Sequence, residues 1–102
     1  MVFEIARLTI DPPRAAEFEA AVAQAESLFR ADAGCTGFAL QRVEEEAGGY
    51  QLVVGWTSIA AHNDVFRATQ NFQDWRALAG PFFTEPPQVI HTSTVIGTVS
   101  IA

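Results

Sequence analysis

Lysine is missing from the sequence: all six basic residues are arginines, against twelve aspartates and glutamates, and the formal net charge is −6. Nucleic-acid binding depends on clustered basic side chains that neutralise phosphates. The sequence has no such cluster, so we expect neither DNA nor RNA as a partner. The same sign of charge disfavours binding to an anionic membrane surface.

Cysteine occurs once, as Cys35, which excludes an intrachain disulfide and a CxxC zinc site. The two histidines lack HxxxH or HxH spacing and do not supply the three or four ligands of a metal centre. The GxSxG, P-loop and GxGxxG motifs are also missing. We therefore predict no metal site and no hydrolase, nucleotide-binding or dinucleotide-dependent chemistry.

Long apolar runs are missing too, and no stretch approaches the roughly 18 residues that a membrane-spanning helix needs. The first residues do not combine a basic region with an apolar region, as a signal peptide would. We therefore expect a soluble, cytoplasmic protein with no membrane partner.

Hydrophobic residues, in contrast, are abundant, at 49% of only 102 residues. This length corresponds to one domain, residues 1–102. A domain of this size buries only about 60–65% of the surface of its unfolded chain. A single small core therefore cannot bury all of the apolar surface of this chain.

Periodicity divides the chain into four strands and two helical regions. The strands have β-branched and aromatic residues, and the helices have apolar residues at three- and four-residue spacing. Ser58 is predicted to cap the second helical region, and a break in that region is predicted near Thr69-Gln70-Asn71. The predicted strands are residues 2–10, 35–44, 50–57 and 88–100, and the predicted helical regions are residues 12–32 and 58–79.

The order β-α-β-β-α-β predicts an α+β, ferredoxin-like fold in which both helices cover one face of an antiparallel sheet. The strands have apolar residues in both phases, so the uncovered face is expected to be apolar as well. A homodimer that buries sheet against sheet is the simplest way to remove that face from water.

The segment Leu52-Val-Val-Gly-Trp-Thr-Ser-Ile-Ala-Ala-His62 resembles the "hydrophobic strand, Trp, x, Ser, x, x, Ala" signature of the antibiotic biosynthesis monooxygenase superfamily. Phe66, Thr69, Phe72 and Trp75 resemble the helix that follows it. The order of elements agrees over essentially the whole chain. The resemblance implies a dimeric α+β barrel, because members of that superfamily have this architecture.

The function that the resemblance implies is broad. Some members are cofactor-independent monooxygenases of phenolic or quinol compounds, some degrade haem, and others act on signalling molecules or have no known activity. The haem-degrading members have an Asn near strand 1, a Trp after strand 3 and a His ten residues later. This chain has Phe66 and Arg76 at the last two positions and no Asn before Asn63, so we expect no haem chemistry.

The aromatic residues Trp56, Phe66 and Phe82 are either core residues or the lining of a flat apolar pocket. His62, near the sheet-facing side of the second helical region, and His91, in strand 4, are candidates for a general base. A structural histidine, partly exposed or internally hydrogen-bonded for His62 and buried at the dimer interface for His91, is the alternative.

Arg42, Arg67 and Arg76 are the basic residues expected to frame such a pocket. Arg76 or Arg42 is a candidate to stabilise a phenolate or enolate oxygen, although a surface ion pair is the alternative for each. Asn63 either orients a substrate carbonyl or lies on the helix surface.

The leading hypothesis is a cofactor-independent monooxygenase that oxidises a small aromatic, quinol or polyketide-like substrate with O2. His62 or His91 would be the base, Arg76 or Arg42 would lie near the oxyanion, and Trp56 and Asn63 would orient the substrate. The alternative is a non-catalytic, small-molecule-binding or stress-related barrel. A third hypothesis is a structural dimer whose cavity is filled by its own side chains.

Overall fold

A four-stranded antiparallel sheet forms the framework of the computed structural model, which describes residues 1–102. Its strands lie in the order β2-β3-β1-β4. The predicted α+β, ferredoxin-like fold is thereby confirmed. The strands are β1 (Val2–Thr9), β2 (Cys35–Arg42), β3 (Gly49–Trp56) and β4 (Gln88–Thr92).

The first helix, α1 (Ala15–Arg30), follows a 3-10 turn whose two prolines occupy its first positions. Pro is suited to these positions because its missing N–H has no partner within a helix start. Phe18, Val22, Ala25 and Phe29 form the buried stripe of α1, at the three- and four-residue spacing of one helix face.

The second helical region is broken, as the sequence predicted. Ser58 Oγ accepts the N–H of Ala61 at 3.0 Å and caps its start. At Thr69 the backbone is extended, with ψ 159°, and Thr69 Oγ1 accepts the N–H of Phe72 at 3.2 Å to begin a new helix. The segments are a π-helical turn (Ala61–Val65), a 3-10 turn (Phe66–Ala68), α2 (Gln70–Ala79) and a final 3-10 turn (Gly80–Phe82). None of the helices combines the length and the apolar character needed to span a bilayer.

Alternation along the strands separates two faces of the sheet. One face packs against the helices and contributes to a core of sixteen buried residues, among them Leu8, Leu52, Val54 and Trp56. The opposite face, which no helix covers, we call the bare face. It is formed mainly by Phe3, Ile5, Ala39, Val53 and Ile90, which are cross-strand neighbours of one another or of Gly37 and Gly55.

Strand β4 is shorter than predicted, since it ends at Thr92 and not near Ser100. The β-branched run beyond it has no partner, because Thr92 already pairs with Phe3, one residue from the start of β1. Val95 and Ile96 are accordingly 91% exposed. High β propensity does not form a strand without a neighbour to complete its hydrogen bonds.

Gly48 lies in the turn between β2 and β3, with φ +78°. A Cβ there would collide with the carbonyl oxygen of Ile10. We expect Gly48→Ala to lower the free energy of unfolding by at least about 2 kcal/mol, because positive φ and the collision both oppose it. Gly80→Ala is the matched control: Gly80 is helical, and a Cβ there meets nothing within 4 Å. Urea unfolding of both variants tests this, and equal stabilities would contradict it.

Candidate active site

A cavity of about 430 Å³ lies between the β1 and β4 side of the sheet and the second helical region. Most of its wall is apolar, with Leu8, Leu52, Phe72 and Trp75 among the lining residues. Its volume is within the range of small-molecule sites, roughly 300–1,000 Å³. Four lining residues have charged or titratable side chains: Glu4, His62, Arg67 and Arg76.

Glu4 is a buried carboxyl group on the helix-covered face of β1, in the same phase as Ala6 and Leu8. It is only 5% exposed. Trp56 Nε1 donates a hydrogen bond to its Oε1 at 3.0 Å, and His62 Nε2 lies 3.3 Å from the same oxygen. Burial raises the pKa of Glu4 to about 7, although the Trp56 hydrogen bond and the charge of Arg67 oppose this rise.

His62 is equally buried, at 4% exposure, and its ring stacks on Trp56 with an interplanar angle of 14°. Its Nδ1 lies 2.8 Å from Nε2 of His91, so one of these nitrogens donates to the other. Burial lowers the pKa of His62 to about 4, and the charges of His91 and Arg67 act in the same direction. The register of the sheet explains the position of His91, since Glu4 and His91 are direct partners in the β1–β4 ladder.

These side chains form a row in which Trp56 hydrogen-bonds to Glu4, Glu4 contacts His62, and His62 hydrogen-bonds to His91. The row runs from a fully buried indole to a half-buried imidazole. Glu4 Oε1 contacts both Trp56 and His62, whereas Oε2 forms no hydrogen bond within the protein. Because every fully buried polar side-chain atom has a hydrogen-bond partner, Oε2 is not fully buried. Oε2 is therefore the carboxylate oxygen that remains for a molecule in the cavity.

The pair of Glu4 and His62 should make opposite contributions to stability as pH changes. The pKa of Glu4 is raised on folding, so its contribution is lost as pH rises from 4.5 to about 7. The pKa of His62 is lowered on folding, so its contribution is lost as pH falls from 6.5 to about 4. Between pH 4.5 and 6.5, where the two ranges overlap, the two effects largely cancel in the native protein.

Single replacements should remove that cancellation. Relative to the native protein, we expect the stability of Glu4→Gln to rise with pH between 4.5 and about 7. The relative stability of His62→Gln should fall with rising pH between about 4 and 6.5. Each slope is at most about 1.4 kcal/mol per pH unit. Urea titrations at a series of pH values measure both, and slopes of the same sign would contradict the prediction.

Of the residues singled out in the sequence, His62, Arg67 and Arg76 line the cavity, and His91 adjoins it through its contact with His62. Trp56 and Phe66 are fully buried core residues, 0% and 1% exposed, and they do not line it. Trp56 nevertheless reaches the site through its hydrogen bond to Glu4.

Three other candidates lie away from the cavity. Arg42 forms an ion pair with Glu19 at 2.9 Å, as its structural alternative predicted. Asn63 is exposed on the π-helical turn. Phe82 packs against Phe18, with ring centroids 5.7 Å apart, and the next residue takes the place at the cavity wall. We therefore do not include these three residues in the proposed site.

Glu4 is the site residue that sequence reasoning missed. In the sequence it is a charged residue within the predicted strand of residues 2–10. The available signal was its phase, because a carboxyl group in the helix-facing phase of a strand must be buried with a partner. Its partners come from β3 and from the π-helical turn, which are distant in sequence.

The protein is therefore of the α+β, ferredoxin-like class, with a small-molecule cavity and a buried pair of titratable side chains, Glu4 and His62. The family follows from comparison with known sequences. The family model "Antibiotic biosynthesis monooxygenase" matches residues 1–78. The chain therefore belongs to the antibiotic biosynthesis monooxygenase family.

Individual relatives and solved structures are similar to the chain over most of its length. The chain is 35% identical over 95 residues to the uncharacterized protein YczJ of Bacillus subtilis (strain 168), covering 93% of this chain and all of the relative. A candidate antibiotic biosynthesis monooxygenase from Bordetella bronchiseptica is 46% identical, with TM-score 0.90, over 93% of this chain and 97% of that one. SnoaB, a cofactor-independent oxygenase from Streptomyces nogalater, has TM-score 0.77 at 20% identity over 94% of each chain and shares the fold.

Proposed function

We propose that this protein is a cofactor-independent monooxygenase that oxidises a small phenolic, quinol or anthrone-like molecule with O2. The observation that carries the proposal is the buried carboxyl group of Glu4 in the wall of a largely apolar cavity. Family membership supports the reaction class, and the fold shared with SnoaB, a cofactor-independent oxygenase, is consistent with it.

Glu4 replaces His62 and His91 as the proposed base. A general base is most effective when its pKa lies near the working pH, and burial places the pKa of Glu4 at about 7. The pKa of His62, at about 4, makes it a much weaker proton acceptor. His62 is instead a positioning residue that contacts Glu4 Oε1 and connects the pair to His91.

The reaction begins when ionised Glu4 takes the hydroxyl proton of the substrate. The resulting anion gives one electron to O2, which forms superoxide and a substrate radical, and the two combine at a ring carbon to form a C–O bond. Glu4 returns its proton to the distal peroxide oxygen. The O–O bond then breaks, and the distal oxygen leaves as water with the proton from Glu4 and the proton of the ring carbon. The ring carbon keeps the other oxygen as a carbonyl group. The sum is substrate plus O2 to quinone plus water.

Oxygen uptake by the purified protein with a panel of quinols and anthrones tests the proposal. We expect one O2 consumed for each quinone formed, without added flavin, haem or metal. Binding of the panel without oxygen uptake would overturn the proposal and favour the non-catalytic, ligand-binding alternative.

We also propose that two copies of the chain associate through the bare face. Ile90 on this face is 59% exposed and its neighbour Ile5 is half-buried, whereas Val53 next to Ile5 is already buried in the single chain. The C-terminal residues cover part of the face, where Ile101 packs directly on Gly37. A second copy would remove the remaining apolar surface from water.

Ile90→Glu should weaken this dimer by at least about a hundredfold, because the carboxylate would have to be buried without a partner. Ala77→Glu, on the exposed side of α2, is the matched control and should leave the dissociation constant unchanged. Sedimentation equilibrium measures both constants. A native protein that is monomeric at micromolar concentration would contradict the proposed dimer.

A further inference from the structure

Four of the six arginines are neutralised by carboxylates of the same chain. The ion pairs are Arg7–Glu46 at 2.9 Å, Arg14–Glu17 at 3.6 Å, Arg30–Glu26 at 2.6 Å and Arg42–Glu19 at 2.9 Å. Arg67 and Arg76 have no ion pair and no side-chain hydrogen bond, although the protein has twelve acidic residues. They are also the two arginines that line the cavity. The arginine charge that no carboxylate of the chain pairs with is thus concentrated at a single site.

Local structure explains why these two guanidinium groups remain unpaired. Asp64 lies three residues before Arg67, but the π-helical turn between them changes the spacing at which side chains share a helix face. Asp74 accepts a hydrogen bond from Gln70 at 2.9 Å and forms no ion pair with Arg76. Both guanidinium groups lie over the same ring instead, at 5.4 and 5.8 Å from the centroid of Phe72.

The cavity is therefore polar at two ends. Glu4 and His62 are 5% and 4% exposed and form its floor, whereas Arg67 and Arg76 are exposed residues at its mouth. The Phe72 ring and Trp75 lie in the wall. Glu4 is the one acidic residue in the lining, so the mouth has a net positive charge on a protein of net charge −6.

We propose that Arg67 and Arg76 bind a carboxylate, so that the ligand of this cavity is an aromatic acid rather than a neutral phenol. Guanidinium groups bind carboxylates through paired, charge-assisted hydrogen bonds. The carboxylate lies at the mouth, the ring system lies against Phe72 and Trp75, and the hydroxyl group points to Glu4 at the floor. The description of this ligand as a substrate rests on the proposed function, whereas its binding does not.

Calorimetric titration with 2-naphthoate and with 2-naphthylmethanol, two unreactive bicyclic probes of nearly equal size, tests the proposal. We expect the acid to bind at least about tenfold more tightly at pH 8, a difference of about 1.4 kcal/mol. Arg67→Gln and Arg76→Gln should each reduce that preference, and the double variant should abolish it. Arg14→Gln, which removes an arginine paired with Glu17, is the matched control and should retain it.

The preference should also decrease as the salt concentration rises, because exposed charges are screened. Equal affinities for the two probes would overturn the proposal, and so would a preference that survives in the double variant. Oxygen uptake is measured separately, with an anthrone that has a ring carboxylate and with the same anthrone that has a methyl group in its place. Selective binding of 2-naphthoate without oxidation of either anthrone would overturn the proposed oxygenase activity and leave the carboxylate site standing.

Discussion

Glu4→Gln should reduce kcat/KM for oxidation of the substrate by about 10²- to 10⁴-fold, the usual contribution of a general base. Glutamine retains a carbonyl oxygen that accepts the hydrogen bond of Trp56, so the fold should be retained while the proton acceptor is lost. Glu26→Gln, which replaces an exposed carboxylate paired with Arg30 on α1, is the matched control. It should have the kcat/KM of the native protein.

The pH profile provides a second measurement on the same variants. Because Glu4 must be ionised to accept a proton, kcat/KM of the native protein should rise with pH through about 7 and then reach a plateau. This limb should be missing from the residual activity of Glu4→Gln. Native activity in Glu4→Gln, or an acid limb near 4 in the native protein, would contradict the assignment of Glu4 and favour His62 as the base.

His62 differs from Glu4 in the expected response to replacement. His62→Phe leaves the Glu4 carboxylate in place but puts a more apolar side chain beside it. A more apolar environment disfavours the ionised form and raises the pKa of a carboxyl group. The acid limb should therefore move to higher pH, while the plateau rate decreases less than in Glu4→Gln. A residue with a structural role alone would change stability without moving the limb.

The sequence predicted the order of elements because each strand and helix has its own apolar period, and that period depends on neighbouring residues alone. The break near Thr69 was predictable for the same reason. The end of β4 was not, because it depends on where β1 begins and not on the composition of residues 93–100. Composition indicated a strand wherever β-branched residues continued, but a strand also needs a partner.

The candidate site was predictable only in part, for a related reason. His62 and Arg76 were identifiable by residue type and helical position. Their chemistry, however, depends on contacts across the sheet. Glu4 acquires its raised pKa from burial beside Trp56, fifty-two residues away in sequence. The unpaired state of Arg67 depends on a π-helical turn, which the apolar period does not distinguish from ordinary helix.

Trp56→Ala should lower the free energy of unfolding by about 3–5 kcal/mol, the usual cost of truncating a buried aromatic residue. Trp56 is 0% exposed and packs against Phe29, Phe66 and the ring of His62. Small domains have a total stability of only about 5–15 kcal/mol. A large part of the population of this variant should therefore be unfolded near 37 °C.

Trp56→Phe separates the packing of the indole from its hydrogen bond. This variant keeps an aromatic ring but leaves Glu4 Oε1 without its Nε1 donor, so we expect a smaller loss of about 1–3 kcal/mol. Trp75→Phe is the stability control, because the Trp75 indole is 8% exposed and donates no hydrogen bond within the protein. It should lose less stability than Trp56→Phe in urea unfolding.

The same variant tests the connection between the core and the proposed base. The Trp56 hydrogen bond lowers the pKa of Glu4 and opposes the effect of burial. Its loss should raise that pKa further, so the acid limb of kcat/KM in Trp56→Phe should move above 7 while the plateau at high pH is largely retained. An unmoved limb would mean that Glu4 does not control the rate, even if the stability loss is as expected. If the acid limb moves above 7 and stability is lost as expected, Trp56 sets the pH at which the cavity is active, although it is a fully buried core residue that does not line the cavity.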